Sequence, residues 1–274
     1  MNKNILAPAE IVTAASNAGV AKAGRSVSYL IITGILAGAF IAFAAQASNM
    51  AAFNLLADPA TYGLGRCLAG AIFAVGLMLV VVTGAELFTG NTLICVAVYE
   101  KKTTIGKMLR NWGIVYVGNF IGSMLIVLMV MGMGQLNSGG GLLGTVTVNI
   151  AVNKVNMSFF GAVFSGIMCN WLVCLGVWMA FATDTVIGKL FACFFPIWLF
   201  VTSGFEHCVA NMYYIPAGIL AKAAFGTQSA DVLAGLNWGT FVTGNLIPAT
   251  IGNIIGGVLF VGTAYWFTMG RTKK

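Results

Sequence analysis

The chain of 274 residues contains one histidine, His207. It lies in F-V-T-S-G-F-E-H-C-V-A-N, residues 200–211, beside Glu206 and within a long apolar stretch. An imidazole titrates near neutrality, so it can donate a hydrogen bond or a proton to a weak-acid anion. A lone histidine is usually structural; its position makes this one a candidate. A second polar interruption, T-G-A-E-L-F-T-G-N-T, covers residues 83–92. An ionisable group at membrane depth is costly and is a functional candidate by default. Unwound backbone at that depth is tolerated only where it is buried in protein or lines a cavity. Leu87, Phe88 and Thr89 are therefore expected to form a re-entrant bend. Its half-helix ends would offer backbone N–H groups and the Thr89 hydroxyl to an anion. Glu86 reads equally well as a group paired within the protein.

Two further polar residues stand near apolar spans. Lys154, in V-N-K-V-N-M, precedes the fourth span. A lysine at a vestibule mouth raises local anion concentration and lowers the pKa of an approaching acid, while an anchor snorkelling to the interface reads as well. Asn170, in M-C-N-W, fits a bond to the histidine or substrate, or a helix-packing hydrogen bond.

The elements that must position these residues follow from composition. Hydrophobic residues make up 59% of the chain and charged residues 8%, against roughly a quarter charged in soluble domains. Most of a globule's surface must face water, so lipid is the solvent that fits. The 35 glycines suit close helix approach. The six cysteines form no C-x-x-C pair and read as small buried hydrophobes. No metal, cofactor or enzyme chemistry is indicated, and the net charge of +7 flanks apolar spans rather than marking nucleic-acid binding.

A bilayer crossing needs about 20 apolar residues. Spans are expected at about 28–47, 64–98, 112–134, 157–182, 188–221 and 246–269, the second and fifth being too long for one uninterrupted crossing. With six spans both termini share a side. Lys3, Lys22, Arg25, Lys101, Lys102, Lys107, Arg110, Lys189, Arg271, Lys273 and Lys274 fall there, against Arg66, Lys154 and Lys222 opposite. Both termini are therefore expected in the cytoplasm. The expected organisation is a cytoplasmic N-terminal segment (1–27), one transmembrane domain (28–269, halves about 28–134 and 157–269) and a tail (270–274). The N-terminal segment lacks signal-peptide features and fits a short interfacial helix over about 4–25.

The chain also repeats itself. Residues 111–122 and 245–256 both read N-x6-G-N-x2-G, and Glu86–Asn91 and Glu206–Asn211 share E-x4-N. Two three-span halves must be inverted, because three is odd. Inverted repeats place the translocation path at their interface, with paired interrupted helices marking it. The expected fold is thus an all-α membrane protein of six helices in an inverted 3+3 repeat.

A-E-L-F-T-G-N at 85–91, N-W-L-V-C-L at 170–175, S-G-F-E-H-C-V-A-N-M at 203–212 and N-L-I-P-A-T-I-G-N-I-I-G-G at 245–257 resemble signatures of the formate/nitrite transporter family, over roughly residues 8–268. The resemblance implies an aquaporin-like protomer in a homopentamer, each protomer with its own pore in the lipid bilayer. It carries the substrate pathway onto Thr89, Lys154, Asn170, Glu206 and His207. The hydrophobic constrictions fall on Phe73, Leu77, Leu87, Val173 and Phe200, with Phe88 in the bend beside them. The implied substrate is a small monovalent anion, formate first, with nitrite and hydrosulfide as alternatives, carried bare or linked to a proton. A neutral-solute channel of aquaporin type would show two Asn-Pro-Ala loops, and this chain has none.

Overall fold

The computed structural model describes residues 5–270. Lys3, Arg271, Lys273 and Lys274 of the charge count, and the ends of both terminal segments, lie outside the described residues. The described chain is all-helical. In order, α1 is Pro8–Gly24, α2 Val27–Ala57 and α3 Tyr62–Thr83. Then come α4, Phe88–Tyr99, and α5, Ile105–Gly132. Next, α6 is Leu142–Val155, α7 Phe159–Phe181, α8 Val186–Ser203 and α9 Cys208–Phe225. Finally α10 covers Trp238–Gly270.

Six helices are long and apolar enough to cross a membrane: α2, α3, α5, α7, α8 and α10. Several starts carry their own signals. Ser26, Thr104, Ser158 and Thr185 each accept a hydrogen bond from a first-turn amide of the following helix, which satisfies one otherwise orphaned donor. The overlong second and fifth stretches each resolve into two helices, α3 with α4 and α8 with α9. The first span runs on to Ala57 and the sixth begins at Trp238, both longer than expected.

In lipid, helices gain little from hiding apolar surface from one another, so packing of small residues and interhelical hydrogen bonds hold them. The repeat glycines supply the packing. A Cβ on Gly122 would stand 1.9 Å from the Ile35 carbonyl oxygen, and one on Gly256 2.4 Å from that of Ile167. These glycines seat α5 on α2 and α10 on α7 at backbone contact. Large apolar side chains such as Phe160, Phe164, Phe191 and Leu199 cover the outside, as a lipid-facing or subunit-facing surface requires. The chain is a multi-pass membrane protein.

Further helices lie outside the six spans: α1 where a helix was expected, and α6 and a short helix over Ala230–Gly235 where none was. The segment read as interfacial is α1, but it packs into the body: Val12, Ala15, Ser16, Gly19 and Ala23 are buried. The connector between the halves holds α6, also with one side buried. Helices α1 and α6 thus each precede one half of the repeat.

Candidate functional site

Both breaks are built alike. Gly84 ends α3 and Gly204 ends α8, at φ of 78° and 82°. Glycine adopts this left-handed cap without the penalty a Cβ brings. The chain then runs extended and restarts as helix at Phe88 and Cys208. The restart amides are caught from α5 and α10: Phe88 N–H donates to Asn119 Oδ1 and Cys208 N–H to Asn253 Oδ1, both at 2.9 Å. The same two amides donate back across the break. Asn119 Nδ2 reaches the carbonyls of Gly34 (2.8 Å) and Glu86 (3.0 Å). Asn253 Nδ2 reaches those of Gly166 (2.8 Å) and Glu206 (2.9 Å). The repeated Asn-and-Gly motif is therefore a clamp that holds unwound backbone inside the bilayer.

The two glutamates are also matched. Lys22 of α1 donates to Glu86 at 2.9 Å and Lys154 of α6 to Glu206 at 2.7 Å. Asn91 Nδ2 donates to Glu86 Oε2 and Asn211 Nδ2 to Glu206 Oε2, both at 2.6 Å. Asn111 and Asn245 complete each set by donating to the backbone carbonyl of its lysine at 3.0 Å. Buried carboxylates need such pairing. Removing one partner of a buried pair costs about 3–5 kcal/mol, because a charge is left uncompensated. Glu206→Gln would leave Lys154 without a counter-charge and set an amide donor against either the lysine or Asn211 and Asn245. Lys22 is 30% exposed and Lys154 16%, so water screens the first pair more. Glu206→Gln is therefore expected to lower thermal stability in detergent more than Glu86→Gln; equal shifts would contradict this ranking.

The mirror fails at both residues of the central contact. The register that matches Glu86 with Glu206 sets Leu87 opposite His207 and Thr89 opposite Val209. His207 caps α9: Ala210 N–H donates to Nδ1 at 3.0 Å. A backbone N–H must donate, so Nδ1 accepts and the proton of the neutral ring sits on Nε2. Nε2 is 3.0 Å from Thr89 Oγ1, in the first turn of α4. The bond thus joins the two half-helices end to end. Both residues are buried.

Apolar groups flank this contact. His207 stacks on Phe200 (5.9 Å, 23°), and Phe73 meets Phe200 edge-on (5.8 Å, 82°). A cavity of about 170 Å³ on one side is lined by Lys22, Leu77, Leu87, Asn91, Val177 and Phe181 among others. A cavity of about 260 Å³ on the other is lined by Arg66, Phe73, Lys154, Phe200, His207 and Asn211 among others. Thr89 lines neither and stands between, bonded to His207 of one cavity and flanked by Leu87 and Gly90 of the other.

Of the expected site residues, Thr89, His207, Glu206 and Lys154 meet here, with Phe73, Phe200, Leu77 and Leu87 on the two cavities. The bend differs in detail: the unwound residues are Ala85–Leu87, and Phe88 and Thr89 already belong to helix, because Asn119 restarts it at Phe88. Phe88 packs edge-on against Tyr116 (4.8 Å) and Trp112 (6.0 Å) and lines neither cavity. Val173 is buried and lines neither. Asn170 takes the packing alternative: its Nδ2 donates to the carbonyls of Asn253 (2.6 Å) and Thr89 (3.2 Å). That ties the two halves together directly behind Thr89. Lys22, Asn119 and Asn253 were not singled out as site residues, although the repeat contained both asparagines.

Comparison with known proteins places this geometry. The formate/nitrite transporter family model matches residues 9–267. The formate channel FocA of Escherichia coli K12 is 38% identical, over 96% of this chain and 94% of its own. A probable formate transporter of Methanothermobacter thermautotrophicus is 36% identical over 98% of each chain. A solved pentameric formate channel with formate bound superposes with TM-score 0.79 at 35% identity, covering 89% of this chain and 98% of that one.

Proposed function

The chain belongs to the formate/nitrite transporter family, and from that premise we propose that it is a membrane channel for small monovalent anions with formate as its principal substrate. The Thr89–His207 bond carries this reading: two polar hydrogen-bonding groups face each other between cavities closed by apolar side chains. Relatives that match over nearly the whole chain include formate channels and a probable formate transporter, and a matched solved structure is a pentameric formate channel. We read this chain as a homopentamer in the cell membrane, with both termini cytoplasmic by its charge distribution. The cavity at α1 then faces inward and the cavity at α6 outward. It acts as a conduit and performs no catalytic step.

An anion entering from outside meets Lys154, which draws it toward His207. To pass, it must separate Thr89 from His207, and then each can donate to it: Nε2–H from one side and the Thr89 hydroxyl from the other. Charge-assisted hydrogen bonds of this kind contribute about 1.5–3 kcal/mol each. They offset part of the several kcal/mol lost with hydration. The anion leaves past Leu77 and Leu87 to Lys22. Phe73 and Phe200 outside, and Leu77 and Leu87 inside, exclude water and larger solutes. His207 also fits a proton relay, but protonation at Nδ1 would break its cap bond to Ala210. The geometry therefore favours hydrogen-bond donation as its first role.

The test is a flux panel in proteoliposomes with formate, nitrite, hydrosulfide and glycerol at two pH values. Formate is expected to enter fastest. A nitrite or hydrosulfide maximum would reassign the substrate, and permeation by glycerol alone would overturn the anion assignment.

A further inference from the structure

The two cavities share a frame but not a charge. Lys22 is matched by Glu86 and Lys154 by Glu206. The inner cavity lining holds no other charged side chain. The outer lining also holds Arg66, which forms no ion pair among the described residues. The register that sets Gly84 opposite Gly204 sets Val186 opposite Arg66. The guanidinium is therefore an unbalanced positive charge in the outer cavity lining that the inner lining does not have.

Arg66 stands in the first turn and a half of α3 and reaches the end of α8. Its Nη2 donates to the Val201 carbonyl, and its Nε lies 3.4 Å from that of Thr202. Both carbonyls lie in the last turn of α8, where that of Val201 also accepts from Gly204 N–H (3.0 Å) and a cation matches the helix dipole. The partners are neutral, so the group keeps its full charge, and two of its five N–H donors meet them. Gly204 follows after Ser203. A Cβ there would stand 3.3 Å from Nη2, so a glycine at the break leaves the guanidinium its room.

We propose that Arg66 makes the two mouths electrostatically unequal, concentrating anions in the outer cavity beside Lys154 while its hold on Val201 and Thr202 positions the break that carries His207. This rests on the channel reading above. A fixed charge acts over the Debye length, about 30 Å at 0.01 M salt and about 3 Å at 1 M. The readout is the half-saturating formate concentration on the outer face of right-side-out vesicles at these two salt levels. Arg66→Gln is expected to raise it about fivefold at low salt and leave it near wild type at high salt. Arg66→Lys keeps the charge and should keep the wild-type salt dependence. Identical salt dependence in wild type and Arg66→Gln would overturn the inference while leaving the channel reading intact. So would loss of uptake in both variants at both salt levels, since that marks a purely structural residue. Wild-type vesicles that take up no formate would overturn the channel reading itself.

Discussion

His207→Phe is expected to reduce formate uptake by one to two orders of magnitude while leaving the protein folded. Phenylalanine can stack on Phe200 as the imidazole does, so the apolar packing survives. What disappears is the Nε2–H donor facing Thr89 and the Nδ1 acceptor for Ala210. A donor to a charged group is worth about 1.5–3 kcal/mol, and 1.4 kcal/mol is a factor of about ten in rate. The loss of the α9 cap costs about 1 kcal/mol more, in stability rather than in rate. His207→Asn is the informative companion, because asparagine both caps a helix and donates through its amide. If His207 serves as donor, Asn should restore most of the flux. If it also relays a proton, Asn should restore flux without the wild-type pH dependence. Uptake by His207→Phe at the wild-type rate and with unchanged pH dependence would remove the histidine from the mechanism.

The second large effect falls on a residue that lines neither cavity. Gly122→Ala is expected to cost roughly 3 kcal/mol or more, the upper end of what overpacking does in a close-packed core. The added carbon would sit 1.9 Å from a backbone oxygen of α2, and backbone cannot rotate aside as a side chain can. The helices must part, and Asn119, one turn away on α5, would lose its hold on Gly34 and Glu86. Gly113 on the same helix has no atom within 4 Å of the equivalent position. There, alanine should be neutral or stabilising by up to about 1 kcal/mol through helix propensity. Thermal unfolding in detergent separates the two; equal midpoints for Gly122→Ala and Gly113→Ala would refute the close-packing account.

Much of this was legible in the residues themselves. Overlong apolar runs carrying Glu86 and Glu206 could not cross the bilayer unbroken, and the duplicated Asn-Gly spacing exposed the inverted halves. The singular histidine at one break marked the centre. Other parts left no such trace. The partners of Asn119 and Asn253 are backbone carbonyls, which every residue has, so spacing alone could not assign those bonds. Lys22 read as one of many topogenic charges, because its counter-ion lies 64 residues away. Helix α6 is too short to span, and polar residues dilute its apolar pattern, so periodicity did not separate it from a connector; α1 was expected as a helix, but its burial against the body was not. Asn170 kept two readings because a polar group on a membrane helix bonds whatever lies nearest, and tertiary packing alone decides that neighbour.

The placement of the two lysines bears on how such a protein enters its membrane. Synthesis runs from the N-terminus, and a bare carboxylate delivered into lipid is expensive. In both halves the ammonium is made first, Lys22 ahead of Glu86 and Lys154 ahead of Glu206. The asparagines that complete each pair, Asn111 and Asn245, follow soon after within the same half. Each acidic side chain thus emerges from the ribosome with its neutralising partner already waiting, and each half can settle its own charges before the other exists.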